Sequence, residues 1–388
     1  MRSFVFLTFT LLLCVIVTDS CKHEYEETAF SDEGITLRLR WNPSYTGETA
    51  ADAEIALKWT ISYLGAELPK GSFARTVKWE DDRIMLVNLS QAGFSKKAEV
   101  LLLKLVQLLK MSQEYTVNKS IDLGRFISLT IGSSHHYYQI TDVAPQYSSY
   151  RSNFIFDINR YALTSSTISI EQRMIEAGIS NVLSLPAFIA HEGRGSLANG
   201  TFNVKEQEVI DVMRNGQVRV AIYKADGGTL DEAADTTVSL GGKPAKCLWC
   251  HELYFNPSFS INTTNVPGYY TFQQFQQTVA NSMSILNQYR SQLNGDIDFA
   301  QLQEHAKMEI TYISFMEPSA NRLALEWNKS IEEVKTIMAG LPTHIYPEFP
   351  FLGQLYYRSD ADARSAYTTV KVPDSIREKS NYEPDLLK

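Results

Sequence analysis

The chain has 388 residues, a formal net charge of −8 and a sequence pI near 5.5, a balance that leaves no basic stripe for a nucleic-acid partner. Hydrophobic residues make up 44% and aromatics 11%, enough for a sizeable core. Four cysteines are too few to staple a body of this size, so its stability must come from packing.

The first twenty residues read as an export signal. Arg2 supplies a positive start, and Phe4 to Val17 is an almost unbroken apolar run, too short for a comfortable membrane span. Thr18-Asp19-Ser20-Cys21 resembles a bacterial lipobox, which implies a lipid on Cys21, followed by a polar tether over 21–33. Ordinary cleavage that leaves Cys21 as a thiol is the alternative. Either way the chain is expected outside the cytoplasm, in the periplasm or on the outer membrane through its anchor. Five Asn-x-Ser/Thr sequons, at Asn88, Asn118, Asn199, Asn262 and Asn328, are read as accidental.

Ile35 to Trp41 alternates apolar and polar residues, which predicts a strand with one buried face. Helices are expected from about Ala50 to Leu64 and from Ser95 to Met111. The second is apolar nearly all round between Val100 and Leu109, so burial on all sides is expected. Strand-like runs occupy Ile84–Leu89, Phe126–Ile131 and His136–Ile140, completing an α+β region over 34–150. A strand-rich middle region over 151–245 is weaker in pattern. Its best strand is Gln217–Lys224, followed by a Gly- and Asp-rich turn from Ala225 to Asp235.

Cys247-Leu248-Trp249-Cys250-His251 spells Cys-x-x-Cys-His, the pattern of covalent c-type haem attachment. Two thiols three residues apart can add to the two vinyl groups of one porphyrin, and the adjacent imidazole can reach the iron as proximal ligand. These five residues resemble those of c-type cytochromes, which implies one covalent haem c and a redox partner protein. In class I cytochromes a methionine ligand lies near the end of the domain. Met316, 65 residues after His251, resembles that placement, with Met308, His305 and His344 as alternatives. A second resemblance is to the β-rich cytochromes of the P460 type, whose motif follows a run of antiparallel strands. Three other readings stay open for the cysteines: a redox-active thiol pair, a metal site, or a structural disulfide in a surface lipoprotein.

Beyond the motif, Phe272 to Leu293 and Phe299 to Ile313 carry apolar stripes at helical spacing. With Asn294-Gly295-Asp296 between them they predict an antiparallel helical hairpin in a mostly helical region over 246–388. Ser330-Ile331-Glu332-Glu333 is a capping box, and the tail from Pro373 is polar and extended. His135-His136-Tyr137-Tyr138 is read as structural within a strand, and His191-Glu192-Gly193-Arg194 as a polar loop. The expected protein is an exported α+β haem protein for electron transfer or redox sensing. The alternatives are a periplasmic haem enzyme with an open axial site, or a non-haem lipoprotein.

Overall fold

The alternating run forms strand β1 (Thr36–Arg40), the centre of a small sheet described by the computed structural model, which covers residues 34–252, 254–255, 265–301 and 304–388. Helix α1 (Ala50–Tyr63) follows, opened by a capping box in which the Thr49 hydroxyl and the Asp52 carboxylate cap each other's backbone. After α2 (Ser72–Thr76), strands β2 (Val77–Trp79) and β3 (Ile84–Asn88) pair antiparallel, and β3 pairs with β1. Helices α3 (Lys96–Met111) and α4 (Gln113–Asn118) lead to β4 (Ile121–Asp122), which lies parallel to β1, giving the order β2-β3-β1-β4. Helix α3 is not buried all round as expected. Leu102, Leu105, Val106 and Leu109 face the core, while Val100 is 68% exposed.

The segments expected as strands at 126–131 and 136–140 are helices, α5 (Leu123–Thr130) and α6 (Ser134–Ile140). Their β-branched and aromatic residues favour strands locally, but every residue of α5 is buried and tertiary packing decides. The hydroxyls of Ser128 and Thr130 donate to the carbonyls of Gly124 and Phe126 one turn back, so the buried helix keeps its polar groups satisfied. Gly124 is required there, because a Cβ would meet the Cβ of Phe315 at 2.2 Å.

A short helix α7 (Tyr147–Arg151) introduces the second sheet, a meander of β5 (Phe154–Leu163), β6 (Gln172–Ser180), β7 (Pro186–Arg194), β8 (Asn203–Val212) and β9 (Val218–Lys224). Each strand pairs antiparallel with the next. His191-Glu192-Gly193-Arg194 therefore lies within β7 and is not a loop. Helix α8 (Pro244–His251) packs on β9, and α9 (Phe272–Gln292) lies against β5 and β7. Helix α10 (His305–Met316) packs on α1 and α5. The expected α9–α10 hairpin does not form, since the sheet and α1 compete for their apolar faces. Its turn docks instead on the start of α2, where Asp296 accepts from the Gly71 and Phe73 amides at 2.7 Å each. The chain closes with α11 (Ala320–Trp327), α12 (Ile331–Ile337, opened by the Ser330 capping box) and α13 (Arg358–Arg364). The described residues belong to one compact unit sharing a core from Ile35 to Leu387, so the expected boundaries at 150 and 245 separate no folded bodies.

A buried ion network joins β4, α4, α5, α10, α11 and α13. Arg125, Arg322 and Arg358 surround the Phe315 ring, their guanidinium carbons 5.0, 5.2 and 3.8 Å from its centroid. Arg322 bonds Asp122 at 2.7 Å and Glu326 at 2.8 Å, Arg358 bonds Glu326 at 2.7 Å, and Arg125 meets Glu114 at 2.6 Å and Asp362 at 3.0 Å. Burial alone would raise the Asp122 carboxyl, but Arg322 and Arg40 outweigh it and hold that carboxyl below the usual range. Removing one member strands a buried charge. Arg358→Ala should lower unfolding free energy by about 3–5 kcal/mol, measured by urea denaturation. A loss under about 1 kcal/mol would show that the network adds little.

Candidate functional site

Gly241 and Gly242 bring the chain into α8 through a space that admits no side chain. A Cβ on Gly241 would lie 2.5 Å from the Glu208 carboxylate, and one on Gly242 2.3 Å from the Arg377 carbonyl. Lys243 is the extended N-cap and Pro244 the first helical residue, where its fixed φ suits the helix and its missing N–H leaves no further donor to satisfy. Cys247, Cys250 and His251 then fall at i, i+3 and i+4, one helical face. The helix stops directly after them at Glu252, whose φ of +43 is a left-handed turn held by its amide on the Leu248 carbonyl and by the Tyr63 hydroxyl on its own carbonyl.

All three motif residues line one narrow cleft, whose free interior is about 120 Å³. Its floor is the meander. Successive strands set Ile175 beside Ala190, and Phe188 beside Ile210 and Val220, on one face. Helix α9 supplies a wall through Phe275 and Val279. One end is charged: Arg173 Nε donates to Glu192 at 2.5 Å and its Nη2 to Glu208 at 3.2 Å. At the mouth Lys246 donates to Glu378 at 2.6 Å and to the Leu240 carbonyl at 2.8 Å. The C-terminal tail, expected to be extended, instead folds back so that the Asp374 amide donates to the Tyr382 carbonyl, and it fastens α8 from outside. The Lys243 amide donates to the Arg377 carbonyl at 2.7 Å, the Lys243 ammonium meets Glu383 at 2.6 Å, and the Arg377 guanidinium lies 4.9 Å from the Trp249 ring.

Burial, helped by Arg173, pushes the His251 imidazole down to about 4, so at neutral pH it is neutral and has a lone pair to give. Burial and then Glu208 push the Cys247 thiol up. Burial also raises Cys250, against Lys246 and Arg377. That is the reverse of what a redox-active thiol pair needs, which is a stabilised thiolate. No disulfide joins Cys247 to Cys250. Among the described residues no group of three His, Cys, Asp or Glu side chains is placed to hold a metal ion by itself.

The other candidates lie elsewhere. Met316, buried at the end of α10, opens onto a separate cavity with Tyr346 and Arg377, so the structure does not bring it to His251. His305 Nε2 is 3.6 Å from Glu252, Met308 is core, and His344 pairs with Glu317 at 2.8 Å. His136 lies in α6, accepts from the Leu386 amide at 2.8 Å and is structural as expected, though in a helix. His191 points with Glu176 to the sheet face opposite Ala190 and Glu192. Cys21, the export signal and the tether lie outside the described residues. Sequence reasoning missed Arg173, Glu206 and Glu208 and placed Glu192 in a polar loop, because their role arises only from strand pairing. The signal available was charge at alternate positions in 206–208.

Comparison with protein-family models, curated proteins and solved structures finds no match.

The raised thiols make a direct prediction. In protein produced without any cofactor, Cys247 and Cys250 should react with iodoacetamide at pH 7.5 at least about tenfold more slowly than in urea, and faster as pH rises. Labelling faster than in the unfolded chain would favour the redox-thiol reading.

Proposed function

We propose that this chain is an exported c-type haem protein carrying one haem on Cys247 and Cys250, with His251 as proximal ligand. The observation that carries the reading is that these three side chains share one helical face and open together into a cleft whose floor is apolar. Thioether formation is an addition in which each sulfur bonds one vinyl carbon and the thiol hydrogen goes to the other, so nothing is oxidised or released. The donor set fits the group: two thiols, a neutral imidazole, a flat apolar floor for the macrocycle, and Arg173 and Lys246 near the polar edge where carboxylates would sit. Both cations already hold a glutamate, so a propionate would share them. The order of a complete antiparallel meander followed by the motif matches the P460-type resemblance. The long helical continuation does not.

A bound haem supplies one-electron chemistry and an axial coordination position. Cys247, Cys250 and His251 would hold such a group, Ile175, Ala190 and Phe188 would offer it an apolar surface, and burial keeps His251 neutral. Electron transfer or redox sensing, with a partner protein as the one-electron donor, is the primary reading. Export and a lipid on Cys21 belong to the same proposal. No helix among the described residues is long and apolar enough to cross a membrane. The placement of Met316 in a separate cavity favours a second reading, a haem protein whose sixth position takes an external ligand.

Protein made with cytochrome c maturation machinery should keep its haem through acid-acetone extraction and give a pyridine haemochrome spectrum. Its tryptic peptide containing Trp249 should gain the mass of haem. Cys247→Ala or Cys250→Ala should leave at most one thioether, and His251→Ala should change the iron's ligand field. Complete extraction of haem from the wild type would reject the proposal. Ready binding of carbon monoxide by the reduced protein, unchanged in Met316→Ala, is expected from the open-site reading. A sulfur–iron(III) near-infrared band that vanishes in Met316→Ala would restore methionine ligation.

A further inference from the structure

The register of the meander places Arg173, Glu192, Glu206 and Lys224 in one row across β6, β7, β8 and β9, with Glu208 next to Glu206 on the same face. The row ends the cleft that His251 and the cysteines face. Two carboxylates thus hold one guanidinium, and a third, Glu206, lies across the strand from Glu192 and two residues from Glu208. Arg173 is bonded to Glu192 and Glu208. Lys224 turns to Asp231 at 3.7 Å and is half-exposed. Glu206 is 2% exposed; its Oε2 accepts from the Asp235 amide at 2.6 Å, and its Oε1 is buried with no hydrogen-bond partner. Ser239 donates to Glu208, and Ser169 faces Glu192. From the remaining elements, Asp235 in the loop after β9 and Cys247 on α8 are the other titratable groups near Glu206.

Three neighbouring carboxylates, of which Glu192 and Glu206 are buried and Glu208 is partly exposed, cannot all stay ionised beside one cation, because an uncompensated buried carboxylate costs several kcal/mol and takes up a proton instead. We infer that Glu206, with its cross-strand neighbour Glu192, holds one proton at neutral pH and is the proton-loading site of the cleft. A protonated Glu206 converts the unpartnered oxygen into a donor beside the Glu192 carboxylate, so the proton has a second seat within the row. Its link to electron transfer rests on the haem reading. When a partner protein gives one electron to a ferric haem in the cleft, one negative charge is added, and a second proton, taken from solvent hydronium by whichever carboxylate of the Glu206–Glu192 pair is still ionised, offsets it. One O–H bond of the hydronium breaks as the carboxyl O–H bond forms, and no other covalent bond changes. Burial, then Glu208, raises Glu206 to about 9, which agrees with the count of charges.

The test has an arm without haem and an arm with it. In cofactor-free protein at pH 7, infrared spectra should show the carbonyl stretch of a protonated carboxylic acid, lost in Glu206→Gln. The folded state binds this proton more tightly than the unfolded chain, so wild-type stability should fall between pH 5 and pH 8, and Glu206→Gln should flatten that fall. Absence of the acid band in the wild type overturns the inference. So does a band that survives both Glu206→Gln and Glu192→Gln, two variants that guard against misfolding of one. In the haem-loaded protein the midpoint potential should fall with pH, by at most the tenfold-per-unit slope of about 59 mV, and the slope should shrink in Glu206→Gln with haem still attached. An unchanged slope overturns the coupling. An acid band without covalent haem would reject the haem reading and leave the proton site standing.

Discussion

Two opposite charges buried together, the Lys243 ammonium and the Glu383 carboxylate 2.6 Å apart, decide where α8 begins and therefore where its sulfurs and imidazole point. Both side chains are almost wholly removed from water. Such a pair stands only when its remaining hydrogen-bonding capacity is met. Here Glu383 also accepts from the Ser134 amide at 2.7 Å, and the Ser380 hydroxyl lies 3.5 Å from the ammonium. Burial pulls Lys243 below its ordinary range and Glu383 resists. One carboxylate thereby ties the N-cap of α8 to the start of α6 and to the tail. If the pair were lost, the helix would keep its sequence motif and lose its aim.

The cleft beneath that helix is uniform in one respect: its low polarity favours neutral forms. The same desolvation raises both thiols, keeps the His251 imidazole uncharged and pushes a proton onto the acidic row. Thiols, imidazole and carboxyl are thus biased toward donors and lone pairs instead of ions. That setting suits a large flat ligand whose rim is apolar on one side and carboxylated on the other. The polar groups gather at one end of the sheet, in the row of Arg173, Glu192 and Glu206 and in Glu208 beside it, while Ile175, Ala190, Phe188 and Ile210 keep the rest of the face apolar.

Much of the fold was legible where one periodicity dominated. The positions of β1, α1, α9 and α12 follow from alternation, apolar stripes and caps, and the site's three chemical residues are contiguous enough to be read by eye. What failed was long-range. The runs Phe126–Ile131 and His136–Ile140 carry strand-forming residues, yet they are helices because neighbours enclose them on every side. His191 to Arg194 looked like a loop because charge inside a sheet is unexpected until Arg173 is seen across from Glu192. Strands β5 to β8 were expected only as a strand-rich region without individual bounds, since polar residues interrupt both of their faces. The floor of the cleft, unlike its roof, is assembled from segments that no local pattern connects.

The tail that clamps α8 has a kinetic meaning. Ser133 donates to the Pro384 carbonyl across 251 residues, and Glu383 reaches Ser134 across 249. Closing so long a loop adds little to the equilibrium cost, since the entropy grows only with the logarithm of length. Contacts this distant in sequence nonetheless slow folding, because they form after the local helices and the meander. Helix α8, packed on β9 and closed over by the tail, therefore depends for its final position on a contact of long sequence separation. A chain whose tail has not yet docked would leave α8 without the Arg377 carbonyl and the Glu383 carboxylate that hold Lys243, and so would leave Cys247 and Cys250 more open to solvent than in the finished fold.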